Sequence, residues 1–152
     1  MEFKIIRNLI KKALYCSISI IDKDGVPHTS PIGSVFIENE TQGYFIEMFT
    51  TSFKNQTGNQ ACILAVNTSI LYWLKSLIKG RFETPPAVRL IVRVEELREI
   101  SDIELFRFQR RVRIFRGLKG HKKMWSSAKY VRPFTVESIR PVSIGAMTSH
   151  LK

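Results

Sequence analysis

Apolar residues recur with two different periods along the chain, and the changes of period mark its elements. Phe3, Ile5, Ile6, Leu9, Ile10 and Leu14 fall at helical intervals between lysines and arginines, which predicts an amphipathic opening helix over residues 2–13. Residues 14–21 then alternate Tyr, Ser and Ile, the period of a strand. Asp22-Lys23-Asp24-Gly25 is a strong turn signal, because Asp-Gly tolerates the positive φ of a tight hairpin. The first strand is therefore expected to pair antiparallel with residues 26–37, a run rich in small and β-branched side chains. Gln42-Gly43 supplies a second turn, and residues 44–49 read as an apolar, aromatic third strand. Three antiparallel strands in succession point to a meander or a small barrel.

The second half continues in the same way. Residues 54–60 are polar and include Gly58, so they form a short helix or a loop, and residues 61–67 are compact and apolar enough for a buried strand. Ile70, Leu71, Trp73, Leu74, Leu77 and Ile78 have near-helical spacing, which predicts a helix over 69–80 that stops at Gly80, with Pro85-Pro86 beyond it. Val88, Leu90, Val92 and Val94 then alternate with Arg89, Ile91, Arg93 and Glu95, giving a fifth strand over 87–97 with one wetter face. Ser101 and Glu104 have capping-box spacing and open a helix through Leu105, Phe108, Val112 and Phe115 that ends near Gly117. Residues 119–123 read as a basic, mobile loop, 125–130 as a short helix and 132–139 as a sixth strand, interrupted at Arg140-Pro141. No repeat, low-complexity tract or linker divides residues 1–152, so a single domain is expected.

Candidate chemistry gathers after the third strand. Thr50, Thr51, Ser52 and Lys54 place three hydroxyls and an ammonium at a strand end, in a loop with no other charge. Hydroxyls and backbone N–H groups donate to a phosphate while Lys adds a point charge, so the loop can hold a phosphate group. An ordinary polar loop is the alternative, since no Walker-type glycine motif accompanies it.

Composition narrows the classes. With 152 residues, 44% hydrophobic and 11% aromatic, the chain is expected to bury a globular core without staples. No apolar run reaches the roughly 18 residues of a membrane span, and Lys11-Lys12 cut the opening segment, so a cytoplasmic protein with no membrane partner is expected. Cys16 and Cys62 each sit in an apolar strand-like run and read as small core residues, with a disulfide or a metal site as the alternatives. The net charge is +11, and residues 105–136 hold ten Lys or Arg and no acid, against 14 basic and 13 acidic residues elsewhere. Such a segment meets phosphates, nucleic acid or an anionic membrane, or is simply a solvated face. The absence of a nucleophile elbow, paired catalytic carboxylates, an HExxH motif and a Rossmann glycine pattern removes support from hydrolase, metalloprotease and classical dinucleotide readings. His28, His121 and His150 are scattered and read as structural or solvated.

The order of parts resembles the pyridoxamine 5′-phosphate oxidase-like, FMN-binding split-barrel family. The resemblance rests on the opening helix, the Asp-Gly turn, the strand Pro27-His28-Thr29-Ser30-Pro31-Ile32-Gly33, an aromatic strand and the Ser52-Phe53-Lys54 step. It continues through the capped helix and the closing Arg132-Pro133-Phe134-Thr135-Val136. It implies a mainly β, six-stranded antiparallel split β-barrel with flanking helices, working as a homodimer with FMN in a groove at the subunit interface. It further implies that Ser30, Pro31, Ile32 and Gly33 run along the flavin ring and ribityl chain, largely through backbone groups. Phe49, at the strand end, would also bind the cofactor, and Thr50, Thr51, Ser52 and Lys54 would hold the phosphate. The family places an Asn three residues after the Lys and then a Leu; this chain has Thr57-Gly58 there, and Asn59 is the substitute.

Three functions follow. The first is an FMN-dependent oxidoreductase that passes hydride or electrons between a reduced nicotinamide and a small-molecule substrate. Pyridoxamine phosphate oxidation itself has less support, because the family's substrate-phosphate Arg and His find no match here. The second is a carrier or sensor of flavin or haem, with His121 or His150 as iron ligands. The third is nucleic-acid binding through residues 107–132, where Phe106, Phe108, Phe115 and Trp125 would stack on bases; their helical spacing favours core packing instead.

Overall fold

The computed structural model describes residues 3–13, 15–48, 56, 58–125 and 128–151. Helix α1 (Phe3–Lys12) leads into β1 (Cys16–Ile21), β2 (Pro27–Ile32), β3 (Val35–Ile37), β4 (Gln42–Ile46) and β5 (Gln60–Val66). Helix α2 (Ile70–Lys79) follows, then β6 (Ala87–Val94), β7 (Arg98–Glu99), α3 (Asp102–Val112), α4 (Lys119–Trp125) and β8 (Tyr130–Pro141). A single 3-10 turn extends α3 at Arg113–Phe115, and a seven-residue 3-10 helix ends the described chain at Gly145–Leu151.

All eight described strands belong to one antiparallel sheet in the order β2-β1-β5-β6-β8-β4-β3, with β7 on β8. The end strands β2 and β3 are consecutive in the chain and joined only by Gly33-Ser34, so the sheet curls into a barrel that is not closed. This is the split barrel that was expected, with eight strands in place of six. One extra strand is β7. The other arises because residues 26–37 break in two: β2 pairs with β1, whereas β3 pairs with β4. Ser34 makes the break with φ of 60°, a left-handed conformation that costs a residue with a Cβ about 1–2 kcal/mol.

The barrel interior collects Ile18, Ile63, Leu90, Val92 and Phe134, with Ile6, Leu9 and Ile10 of α1 packed onto them. These are the apolar members of the alternation, and α1 buries its apolar stripe as its period requires. Tyr44, Ile46, Phe108, Val112 and Val131 form a second cluster beneath α3. Gly43 permits the close approach of β3 and β8 at this point: a Cβ there would lie 2.5 Å from the Phe36 carbonyl oxygen and 2.6 Å from the Phe134 ring.

Several expectations are corrected. Residues 119–123 are not a loop but most of α4, and lysine is a good helix former. Trp125 ends that helix rather than starting one, with its ring 5.6 Å from Phe115 and 5.4 Å from His121, and Tyr130 already belongs to β8. The helix over 69–80 is present, capped by the Ser69 hydroxyl and ended by Gly80 at φ of 63°. Its burial is opposite to its hydropathy. Ile70, Leu71, Leu74, Leu77 and Ile78 are exposed, while Ser76, Tyr72 and Trp73 face inward. Tyr72 and Trp73 pack on buried Phe82, and their polar atoms are satisfied by Thr84 and Asn67 carbonyls. Both cysteines are free thiols; burial pushes Cys16 up to about 11.

Candidate functional site

The strand expected to line the flavin closes β2. In the β1–β2 ladder Ser30 lies opposite Ile18, Pro31 opposite Ser17 and Ile32 opposite Cys16. Ile32 is buried, Ser30 half-buried, and Pro31 and Gly33 exposed. No described strand lies beyond β2, so a proline without an N–H is tolerated on it. A Cβ built on Gly33 would meet nothing within 4 Å, which leaves the backbone there open to a ligand.

Of the residues expected to bind the cofactor, Phe49, Thr50, Thr51, Ser52 and Lys54 lie outside the described residues. Their two flanks are placed. On one side β4 pairs Phe45 with Val35, which brings its end beside the Gly33-Ser34 break, and the Glu47 N–H bonds the Tyr130 carbonyl. On the other side Gln56 bridges Asp22 at the opposite end of β2, and Gln56 Nε2 donates to the Gln60 carbonyl at 3.0 Å. The flanks thus stand at the two ends of the strand that carries Ser30, Pro31, Ile32 and Gly33.

A cavity of about 470 Å³ adjoins the second flank, lined chiefly by Gln56, Gly58, Asn59, Arg93, Glu95 and Arg132. Asn59 is therefore brought to a cleft, and its carbonyl accepts the Val94 N–H at 2.7 Å. Ser30 to Gly33 do not line this cavity. Arg132 joins it to the first flank: Nε and Nη2 donate to the Glu47 carboxylate, and Nη1 donates to the Glu95 carbonyl at 3.0 Å. The Glu47 side chain is only 2% exposed, so the pair is an internal strut and not a surface bridge. Arg93 is likewise committed, donating twice to Glu137.

The Glu47–Arg132 pair was missed in the sequence reading. The available signal is Glu47 itself, a lone charge inside Phe45-Ile46-Glu47-Met48-Phe49, since a charge in an apolar strand requires a partner. The histidines are tied into the fold. His28 Nε2 bonds Asp22 at 2.7 Å, and the Val26 N–H holds the Asp22 carboxyl below its ordinary range with help from His28. His121 stands edge-on to Trp125, and His150 Nε2 bonds the Phe82 carbonyl at 2.7 Å. No group of three metal-ligating side chains occurs among the described residues.

No protein-family model matches the chain, and no curated protein matches it in sequence. Solved structures do match in fold. An FMN-binding protein from Syntrophomonas wolfei superposes with a TM-score of 0.63 at 14% identity, over 93% of this chain and 86% of that one. HupZ of Group A Streptococcus gives 0.60 at 15% identity, over 97% and 98%. A Lactobacillus delbrueckii protein provisionally named a pyridoxamine 5′-phosphate oxidase gives 0.55 at 16% identity, over 92% and 93%. At these identities the likeness is one of fold.

Proposed function

We propose that this chain, which has the split-barrel fold of FMN-binding and pyridoxamine 5′-phosphate oxidase-like proteins, binds FMN and works as an oxidoreductase on a small molecule. The observation that carries the reading is the placement of the two flanks of residues 49–55 at opposite ends of β2. A six-residue strand is about 20 Å long, and seven residues reach at most about 25 Å, so residues 49–55 have the reach to follow β2 from end to end. In this reading Ser52 and Lys54 serve a ligand laid along Ser30 to Gly33.

The residues fit the cofactor. Gly33 offers backbone without a side chain where a planar ring approaches, and Pro31 and Gly33 are exposed for contact. The hydroxyls of Thr50, Thr51 and Ser52 donate to the phosphate, and Lys54 adds the cation. Asn59 supplies an amide at the cavity beside Gln56. The buried Glu47–Arg132 pair fixes the end of β4 to β8. A bound flavin would supply the redox chemistry, taking up hydride from a reduced nicotinamide and passing electrons to the substrate.

The protein acts as a homodimer in this reading. The outer side of β2 is a surface that a second copy would cover. To test the activity, FMN-loaded protein is mixed without oxygen with NADH and, separately, with NADPH. Bleaching of the visible flavin absorbance by one of them, restored by air, is expected. Flavin that stays bound yet is reduced by neither would remove the nicotinamide-linked activity while leaving FMN binding in place.

A further inference from the structure

A second cavity, also of about 470 Å³, lies between α1 and β3, away from the residues assigned to the flavin phosphate. Lys4, Arg7, Asn8 and Lys11 line it from α1, Phe36 from β3, and Arg111 from α3. The α1 residues sit at positions i, i+3, i+4 and i+7, a single row along the helix that spans about 10 Å. Among the described residues, no acidic residue lines the cavity. Among the described residues, no carboxylate stands within ion-pair distance of Lys4, Arg7, Lys11 or Arg111. Glu38, just beyond β3, faces Arg107 instead, at 3.5 Å.

Arg111 makes this more than a solvated face. Its guanidinium is partly buried and donates to three backbone carbonyls: Val35 at 2.8 Å, Ile10 at 3.1 Å and Ala13 at 3.5 Å. Its Cζ stands 5.3 Å from the Phe36 ring centroid, and the Phe36 ring is itself stacked on Tyr44 at 5.0 Å. Held by neutral oxygens, this cation has no counter-charge among the described residues, and a guanidinium with five N–H donors keeps some for a ligand. Burial lowers its proton affinity, in keeping with a site that lacks an anion.

The geometry points to a binding site for a small molecule carrying two phosphoryl groups in the cleft between α1 and β3. Four cations face the cavity, and two phosphoryl groups at about −1.5 to −2 each match that charge, whereas a dicarboxylate leaves half of it unbalanced. The 10 Å row suits an extended diphosphate better than a single phosphate, which spans little more than one helical turn. Phe36 offers no free face, so recognition comes from charge and from the Asn8 amide, not from stacking.

The test is calorimetric titration of the whole protein with inorganic pyrophosphate, inorganic phosphate and citrate at one fixed ionic strength. Saturable one-to-one binding is expected, tightest for pyrophosphate. The Arg7→Gln/Lys11→Gln double variant should weaken it by about tenfold or more, whereas Lys12→Gln, which removes a charge from the same helix but not from the cavity, should change it less than about twofold. Lys54→Ala should leave it unchanged, which separates this site from the flavin loop. Binding that does not saturate, that prefers citrate, that Lys12→Gln weakens as much as the double variant, or that Lys54→Ala abolishes would overturn the assignment.

Discussion

Glu104 shows how one side chain can join two elements. Its carboxylate accepts from Arg98 of β7 at 2.6 and 2.9 Å and from the Ser101 N–H and hydroxyl at 2.9 and 2.8 Å. These donors, Arg98 foremost, lower its pKa from 4.5 to about 2. A carboxyl with a folded pKa below its unfolded one contributes stability that is fully present above the unfolded value and is lost as pH falls toward the folded one. Stability should therefore decline from about pH 5.5 to pH 2. Glu104→Gln should cost about 1–3 kcal/mol at neutral pH and flatten that decline, as followed by urea midpoints across pH. The capping box was legible because its two members are three residues apart and act locally. The Arg98 partner was not, because β7 is two residues long and carries no periodic signal.

At the scale of elements, the ends of α2 were legible and its orientation was not. Ser69 and Gly80 mark its limits by local backbone chemistry, but which face turns inward depends on what waits beneath it. That is Phe82, 1% exposed, which selects the flat rings of Tyr72 and Trp73 over the aliphatic stripe. Ile70→Gln with Ile78→Gln, at 82% and 78% exposure, should change stability by less than about 0.5 kcal/mol, while Phe82→Ala should cost about 3–5 kcal/mol. Urea unfolding of both variants checks the reversed packing, and a large loss from the glutamines would contradict it. The β2–β3 break has a similar origin. Residues 26–37 keep strand character throughout, and only the need to cross from one sheet edge to the other forces Ser34 to positive φ.

Taken as a whole, the basic charge is partly structural. Arg107 faces Glu38 at the surface, while Arg111, holding three carbonyls, and Arg132, bracing Glu47, work inside the fold. The barrel was legible from strand order and turn chemistry, which are local. The candidate site was legible only as two separate motifs, because the pairing of Gln56 with Asp22 and of Glu47 with Arg132 joins residues 34 and 85 positions apart. The Gln56–Asp22 bridge and the β3–β4 pairing set the two flanks of residues 49–55 at the two ends of β2. The most direct test is a fluorescence titration of the protein with FMN and with riboflavin, repeated on Lys54→Ala. FMN should bind to saturation and more tightly than riboflavin, and Lys54→Ala should weaken FMN by about tenfold while leaving riboflavin nearly unaffected. Failure to bind FMN, or equal affinity for FMN and riboflavin, would contradict a phosphate held by Ser52 and Lys54.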